Sequence, residues 1–145
     1  MIPMVISSNG IALIKSFESC RLLAYPDSIG VPTIGWGHTF NVKLHTTCTQ
    51  SQADEWLLED LATAEDCVNR KVGPHISQNQ FDALVSFVFN VGCAAFISST
   101  LLRLINSGSL QLAALEFPKW DRAGTQVLPG LLRRREAEQS LFNQP

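Results

Sequence analysis

The sequence predicts an α+β protein: a small β-bearing lobe, a long linking helix and a larger helical lobe. Three observations carry that expectation. Between Leu23 and Val42 the chain mixes Tyr, Pro, Asp, Gly, Thr, Ile and Trp, the turn formers and β formers of short strands joined by tight turns. Two capping boxes, Thr49 with Gln52 and Ser77 with Gln80, open long periodic stretches after it. The stretch at 80–91 is apolar almost all round, which puts it at the centre of a helical lobe.

Taken in order, Ser7, Ser8 and Asn9 are good N-caps, and Ile11, Ile14 and Phe17 recur three apart with Leu13 four before Phe17. A first helix is expected at about 8–20, with Glu18 in its last turn. Residues 23–42 form the only convincing β region, and everything beyond reads as helix. One helix covers about 50–71 and stops at Gly73 and Pro74. A second runs through Phe81, Leu84, Val85, Val88 and Phe89 to Gly92, and a third starts at Ser98 or Ser99 and ends at 106–108. A short helix at about 109–116 and a last one from Pro129 to about Phe142 complete the chain.

With 145 residues and 46% hydrophobic content, a single domain over 1–145 can bury a real core. Its β-bearing lobe is expected at about 20–48 and its helical lobe at about 74–145, with the N-terminal helix packed on the latter. A net charge of −2 removes any bulk attraction to nucleic acid. The charge is uneven: residues 44–102 are acidic, while 103–145 are basic and include Arg133, Arg134 and Arg135. The apolar start, Met1–Ile6, is too short and lacks the basic flank of a secretory signal, and no run approaches the roughly 20 apolar residues of a membrane helix. A chain made in the cytoplasm, without a stable membrane anchor, is expected. Cys20, Cys48, Cys67 and Cys93 lack the paired spacing of a zinc site, so no metal is expected. Buried thiols are the favoured reading over disulfides, whose pairing the spacing does not fix.

Glycosidic bonds are cut by two acid groups, one protonating the leaving oxygen while the other holds a water or attacks the sugar. Glu18 ends an amphipathic helix, and Asp27 follows beyond a turn at Tyr25 and Pro26. Alone, such a pair is weak: a helix-terminal and a turn carboxylate are common structural features. Thr33 lies six residues further on, inside Gly30-Val31-Pro32-Thr33-Ile34-Gly35-Trp36-Gly37-His38-Thr39. In order and spacing, Glu18, Asp27 and Thr33 resemble the catalytic triad of the phage lysozymes, glycoside hydrolase family 24. Further blocks resemble that family in collinear order: Gln80 to Gly92, Ser99 to Asn106, Lys119-Trp120 with Ala123-Gly124, and Pro129-Gly130-Leu131 with the run from Arg133 to Glu138.

The resemblance implies a lysozyme-like fold and an endolysin-type muramidase without cofactor, acting on the peptidoglycan glycan strand as a monomer. It implies hydrolysis of the β-1,4 bond between N-acetylmuramic acid and N-acetylglucosamine, for host lysis. Glu18 would be the general acid, with its pKa raised by partial burial, and Asp27 would stay ionised, with Thr33 helping to fix a water. Inversion would require carboxyls about 6.5–9.5 Å apart. Tyr25, Gly35 and Asn90 are the candidate substrate contacts. One of Arg133, Arg134 and Arg135 would approach Glu18. His38 would be structural, packing between the β lobe and the long helix with Asp60 as its ion-pair partner. Trp56 and Trp120 are expected in the core, and Trp36 can be core or sugar platform. The resemblance also implies action in the periplasm after release through a holin or by another route. Two other readings stand beside it: a lytic transglycosylase, which needs no water-holding pair, and a non-catalytic wall-binding module.

Overall fold

The computed structural model describes residues 2–145, so Met1 of the apolar start lies outside the described residues. The chain has an α+β fold and divides into two compact units, residues 14–63 and residues 2–13 with 64–145. Among the described residues no helix is long and apolar enough to cross a membrane.

The unit of residues 14–63 is built on a β hairpin. Strands β1 (Arg21–Pro26) and β2 (Pro32–Gly35) pair antiparallel, with Tyr25 opposite Thr33, Pro26 opposite Pro32, and an irregularity between Arg21 and Tyr25. Isolated bridges add His38 to Ile34 and Thr47 to Leu23. Helix α1 (Ser8–Phe17) enters this unit and helix α2 (Gln50–Lys71) leaves it. Thr49 caps α2, its hydroxyl accepting the Gln52 N–H at 3.1 Å. Ile14, Ala24, Ile34, Ala53, Leu57 and Leu61 are its buried apolar residues. Gly35 is required twice over. Its φ is +65°, and a Cβ there would come within 3.1 Å of the Ala53 Cβ.

In the other unit, helix α3 (Gln78–Val91) is buried from Phe81 to Val88, as its apolar circumference requires. Both halves of the Ser77–Gln80 capping box form, and Gly92 closes the helix at a φ of +94°. Phe87 packs edge-on against Phe96, Phe117 and Trp120. After α3 come α4 (Cys93–Ile97), α5 (Thr100–Asn106), α6 (Leu110–Ala114), a 3-10 turn (Phe117–Lys119), strands β3 (Arg122–Ala123) and β4 (Gln126–Val127), and α7 (Pro129–Phe142). The segment before α1 is stitched down by side chains: the amides of Ile6 and Ser7 donate to Glu65 and to buried Asp82 at 2.7 and 3.0 Å. Gly10 sits where a Cβ would lie 2.6 Å from Ile6 and 2.8 Å from Asp82.

Four expectations change. Helix α1 ends at Phe17 rather than near 20, because the chain must turn before β1 begins at Arg21. Residues after 42 are not all helical: β3 and β4 form a second hairpin, whose turn places Gly124 at a φ of +63°. Helix α4 occupies a stretch that carried no assignment. Cys67 and Cys93 form a disulfide across 26 residues with Cα atoms 6.0 Å apart, while Cys20 and Cys48 stay free and half-buried. A pairing so distant in sequence has no local signature.

Candidate active site

Glu18, Tyr25, Asp27, Thr33 and Gly35 all belong to the unit of residues 14–63. Glu18 is the first residue past α1, and its backbone N–H still donates to the Ile14 carbonyl at 3.0 Å. Its side chain, half-buried, therefore leaves from a fixed helical turn. Asp27 closes the hairpin. Its N–H donates to the Val31 carbonyl at 2.9 Å, and its Oδ1 accepts the amides of Ile29 and Val31, each at 2.9 Å. Both contacts fall on Oδ1, so the turn fixes the carboxylate while Oδ2 is the oxygen available to a water.

The register supplies the rest of the geometry. Side chains on one face of an antiparallel pair are those directly opposite and those two residues along. Tyr25 is opposite Thr33, so these two side chains share a face of the hairpin, and Asp27 follows at the turn, one residue past the end of β1. Thr33 is buried at 4% exposure, and its hydroxyl donates to the Val31 carbonyl at 2.9 Å. With its proton so committed, its lone pairs are left to accept. Val31 thus ties Asp27 and Thr33 together through one peptide unit. The Arg21 guanidinium lies 4.0 Å from the centroid of the Tyr25 ring and orients that ring.

The sequence reading missed the group that holds the helix end to the hairpin. Oδ1 of Asp54 accepts from Trp36 Nε1 at 2.8 Å and from Gln50 Nε2 at 3.1 Å, and pairs with Lys15 Nζ at 3.1 Å. The Lys15 ammonium also lies 5.2 Å from the Trp36 ring centroid. One carboxylate therefore joins α1, the residue following β2 and the first turns of α2. Lys15 precedes Glu18 by three residues, and Trp36 follows Thr33 by three. The donors, Trp36 first and then Lys15 and Gln50, hold the Asp54 carboxyl below the ordinary aspartate range. Only the Gln50–Asp54 spacing, one helical turn, was visible in the sequence. Trp36 is thereby settled as a half-buried hydrogen-bond donor.

His38 is the structural histidine expected, with its Nδ1 2.9 Å from Asp60 and its ring stacked on Trp56 at 4.7 Å. Asn90 belongs to the helical unit, where its Oδ1 accepts from Arg135 Nη2 at 2.9 Å. Gly35 is buried against α2, which gives it a packing role irrespective of substrate. Arg134 and Arg135 converge on the buried Glu138. Arg134 Nε lies 3.3 Å from Oε2, and Arg135 Nε lies 2.7 Å from Oε1 without the alignment of a hydrogen bond. The Ser86 hydroxyl adds a bond of 2.6 Å to Oε2. Burial pushes the Glu138 carboxyl up, against the pull of Arg135, Ser86 and Arg134.

Residues 15–138 match the family model described as phage lysozyme. The chain is 43% identical over 143 residues to an endolysin of Acyrthosiphon pisum secondary endosymbiont phage 1, covering 96% of this chain and 98% of that protein. It is 47% identical over 146 residues to an endolysin of Bacillus phage PZA, covering 97% of this chain and 55% of that longer protein. Among solved structures, the muramidase domain of SpmX from Asticaccaulis excentricus superposes with a TM-score of 0.92 at 43% identity, over 97% of this chain and 99% of that one.

Proposed function

Because this chain belongs to the phage lysozyme family, and is a lysozyme-type hydrolase of peptidoglycan lysis, we propose that it cleaves the β-1,4 bond between N-acetylmuramic acid and N-acetylglucosamine with inversion. Glu18 is the general acid that protonates the leaving oxygen. Asp27, through Oδ2, is the base that draws a proton from the attacking water, and the Thr33 lone pairs hold that water in line. The observation supporting this reading is that the three residues stand on consecutive elements of one unit, Glu18 just past α1, Asp27 at the hairpin turn and Thr33 on β2, with Asp27 and Thr33 both bonded to Val31. An inverting reaction needs this division of labour: one carboxyl at the leaving group and one behind a water on the opposite face of the sugar. Tyr25 shares a face with Thr33 and would border the sugar. Gly35 would contact the strand through its backbone.

The Cys67–Cys93 disulfide supports work in an oxidising compartment, so the periplasm is proposed as the place of action and the bacterial cytoplasm as the place of synthesis. Release through a holin, and action as a monomer, belong to the same proposal. The test is release of reducing ends from purified peptidoglycan. Glu18→Gln, which keeps the side chain's shape, is expected to release none while retaining the wild-type melting temperature. A Glu18→Gln protein that still solubilises wall would sink the assignment. Product anomers read by NMR immediately after cleavage separate inversion from retention.

A further inference from the structure

We propose a second saccharide site, on the reverse of β2 from Thr33, that holds a stretch of neutral N-acetylated glycan away from the reacting bond; the identity of the polymer rests on the muramidase reading above. Successive strand residues point to opposite faces, so Ile34 faces away from Thr33 and its partner Tyr25. Ile34, His38 and Trp56 line a cavity of about 490 Å³, which falls within the range of small-molecule sites. The floor is rigid: His38 stacks on Trp56 with rings 6° from parallel and is held from behind by Asp60. Phe40 stands at the rim with 75% of its surface exposed, an aromatic face that the fold itself does not use. The segment that follows carries two non-glycine residues in the left-handed region, Asn41 at a φ of +55° and His45 at +71°. Such conformations cost energy and collect at ligand clamps.

The wall chemistry selects the occupant. Asn41, Thr47 and Gln52 supply two carboxamides and a hydroxyl, and among the described residues none of these side chains has a hydrogen-bond partner. Lys43 and Glu59 cancel in charge, so nothing in the cavity favours a phosphate or an acidic peptide. An aromatic rim, neutral donors and acceptors, and no net charge fit the ring face, hydroxyls and acetamide of an amino sugar. On an insoluble polymer, a second grip raises the effective concentration of the strand at the catalytic hairpin without touching the chemistry.

The experiment measures cosedimentation with purified sacculi in a Glu18→Gln background, with Phe40→Ala or Gln52→Ala added. Both positions are exposed, so neither substitution removes core packing. Each is expected to weaken binding about five-fold, the scale of one lost aromatic or polar contact. In the otherwise unsubstituted chain, the same changes are expected to leave turnover of a short soluble glycan oligomer within about two-fold. Sacculus binding unchanged by Phe40→Ala overturns the proposal, as does an equal loss of turnover on the short oligomer. If the unsubstituted chain releases no reducing ends yet Phe40→Ala still weakens binding, the glycan site stands and the muramidase reading falls.

Discussion

The carboxylates of the hairpin unit and the carboxylate of the helical unit are held by opposite means. Asp27 is half-exposed and takes two turn amides on one oxygen. Glu138 is fully buried, with two guanidinium groups and a hydroxyl converging on it. In the first case, the fold orients a charge and leaves part of it for a reactant. In the second, the fold uses the whole charge to join α3 to α7. A buried ion pair of that kind brings little net stability, since desolvation offsets its attraction, yet removing one member is expensive. Position and partners, not residue type, separate a carboxylate that works from one that holds.

The sharpest way to break the comparison is Asp27→Asn. The asparagine oxygen can accept the same amides from Ile29 and Val31, so the hairpin is expected to survive with its melting temperature unchanged. Activity on peptidoglycan is expected to fall about 10³-fold, because the group that accepts the water's proton is gone. An Asp27→Asn enzyme within ten-fold of the parent would reduce Asp27 to a turn former. The complementary change, Glu138→Ala, is expected to cost about 3–5 kcal/mol of stability by removing the buried carboxylate that balances the charge of Arg134 and Arg135. Urea denaturation reads that loss, and at temperatures where the variant stays folded the hairpin should keep its activity. Stability within about 1 kcal/mol of the parent would mean that the cluster relaxes or hydrates.

Much of the fold was legible in the sequence, for a physical reason. Caps and turns are local: Thr49 with Gln52, Ser77 with Gln80 and the glycine stops each announce a boundary within four residues, and α2, α3, α5 and α7 begin where those signals stand. The fold class and family were legible because the hairpin motif, central helix and arginine run occur in collinear order. What escaped was non-local or too short to carry a period. The Cys67–Cys93 bridge spans 26 residues, and the two-residue strands β3 and β4 have no alternation to detect. Asp54 looked like any acidic residue on a solvated helix face, because its partners Lys15 and Trp36 arrive from elements far apart in the chain.

Asp54 also gives the comparison its mildest and most specific test, through pH. The two carboxyls shift in opposite directions. Burial raises the Glu138 carboxyl, against the pull of Arg135, Ser86 and Arg134. Hydrogen bonds lower Asp54, so its contribution is present above the ordinary aspartate pKa and is lost as pH falls through the lowered one. Replacing Asp54 with Asn keeps an acceptor for Trp36 but removes the charge that Lys15 pairs with. The parent is therefore expected to melt slightly above Asp54→Asn at neutral pH, with the gap closing as acid protonates the aspartate. The pair is half-exposed, so added salt should narrow the gap as well. A melting difference that stays constant from neutral pH down past the aspartate range would show that the oxygen, and not its charge, joins α1 to the hairpin.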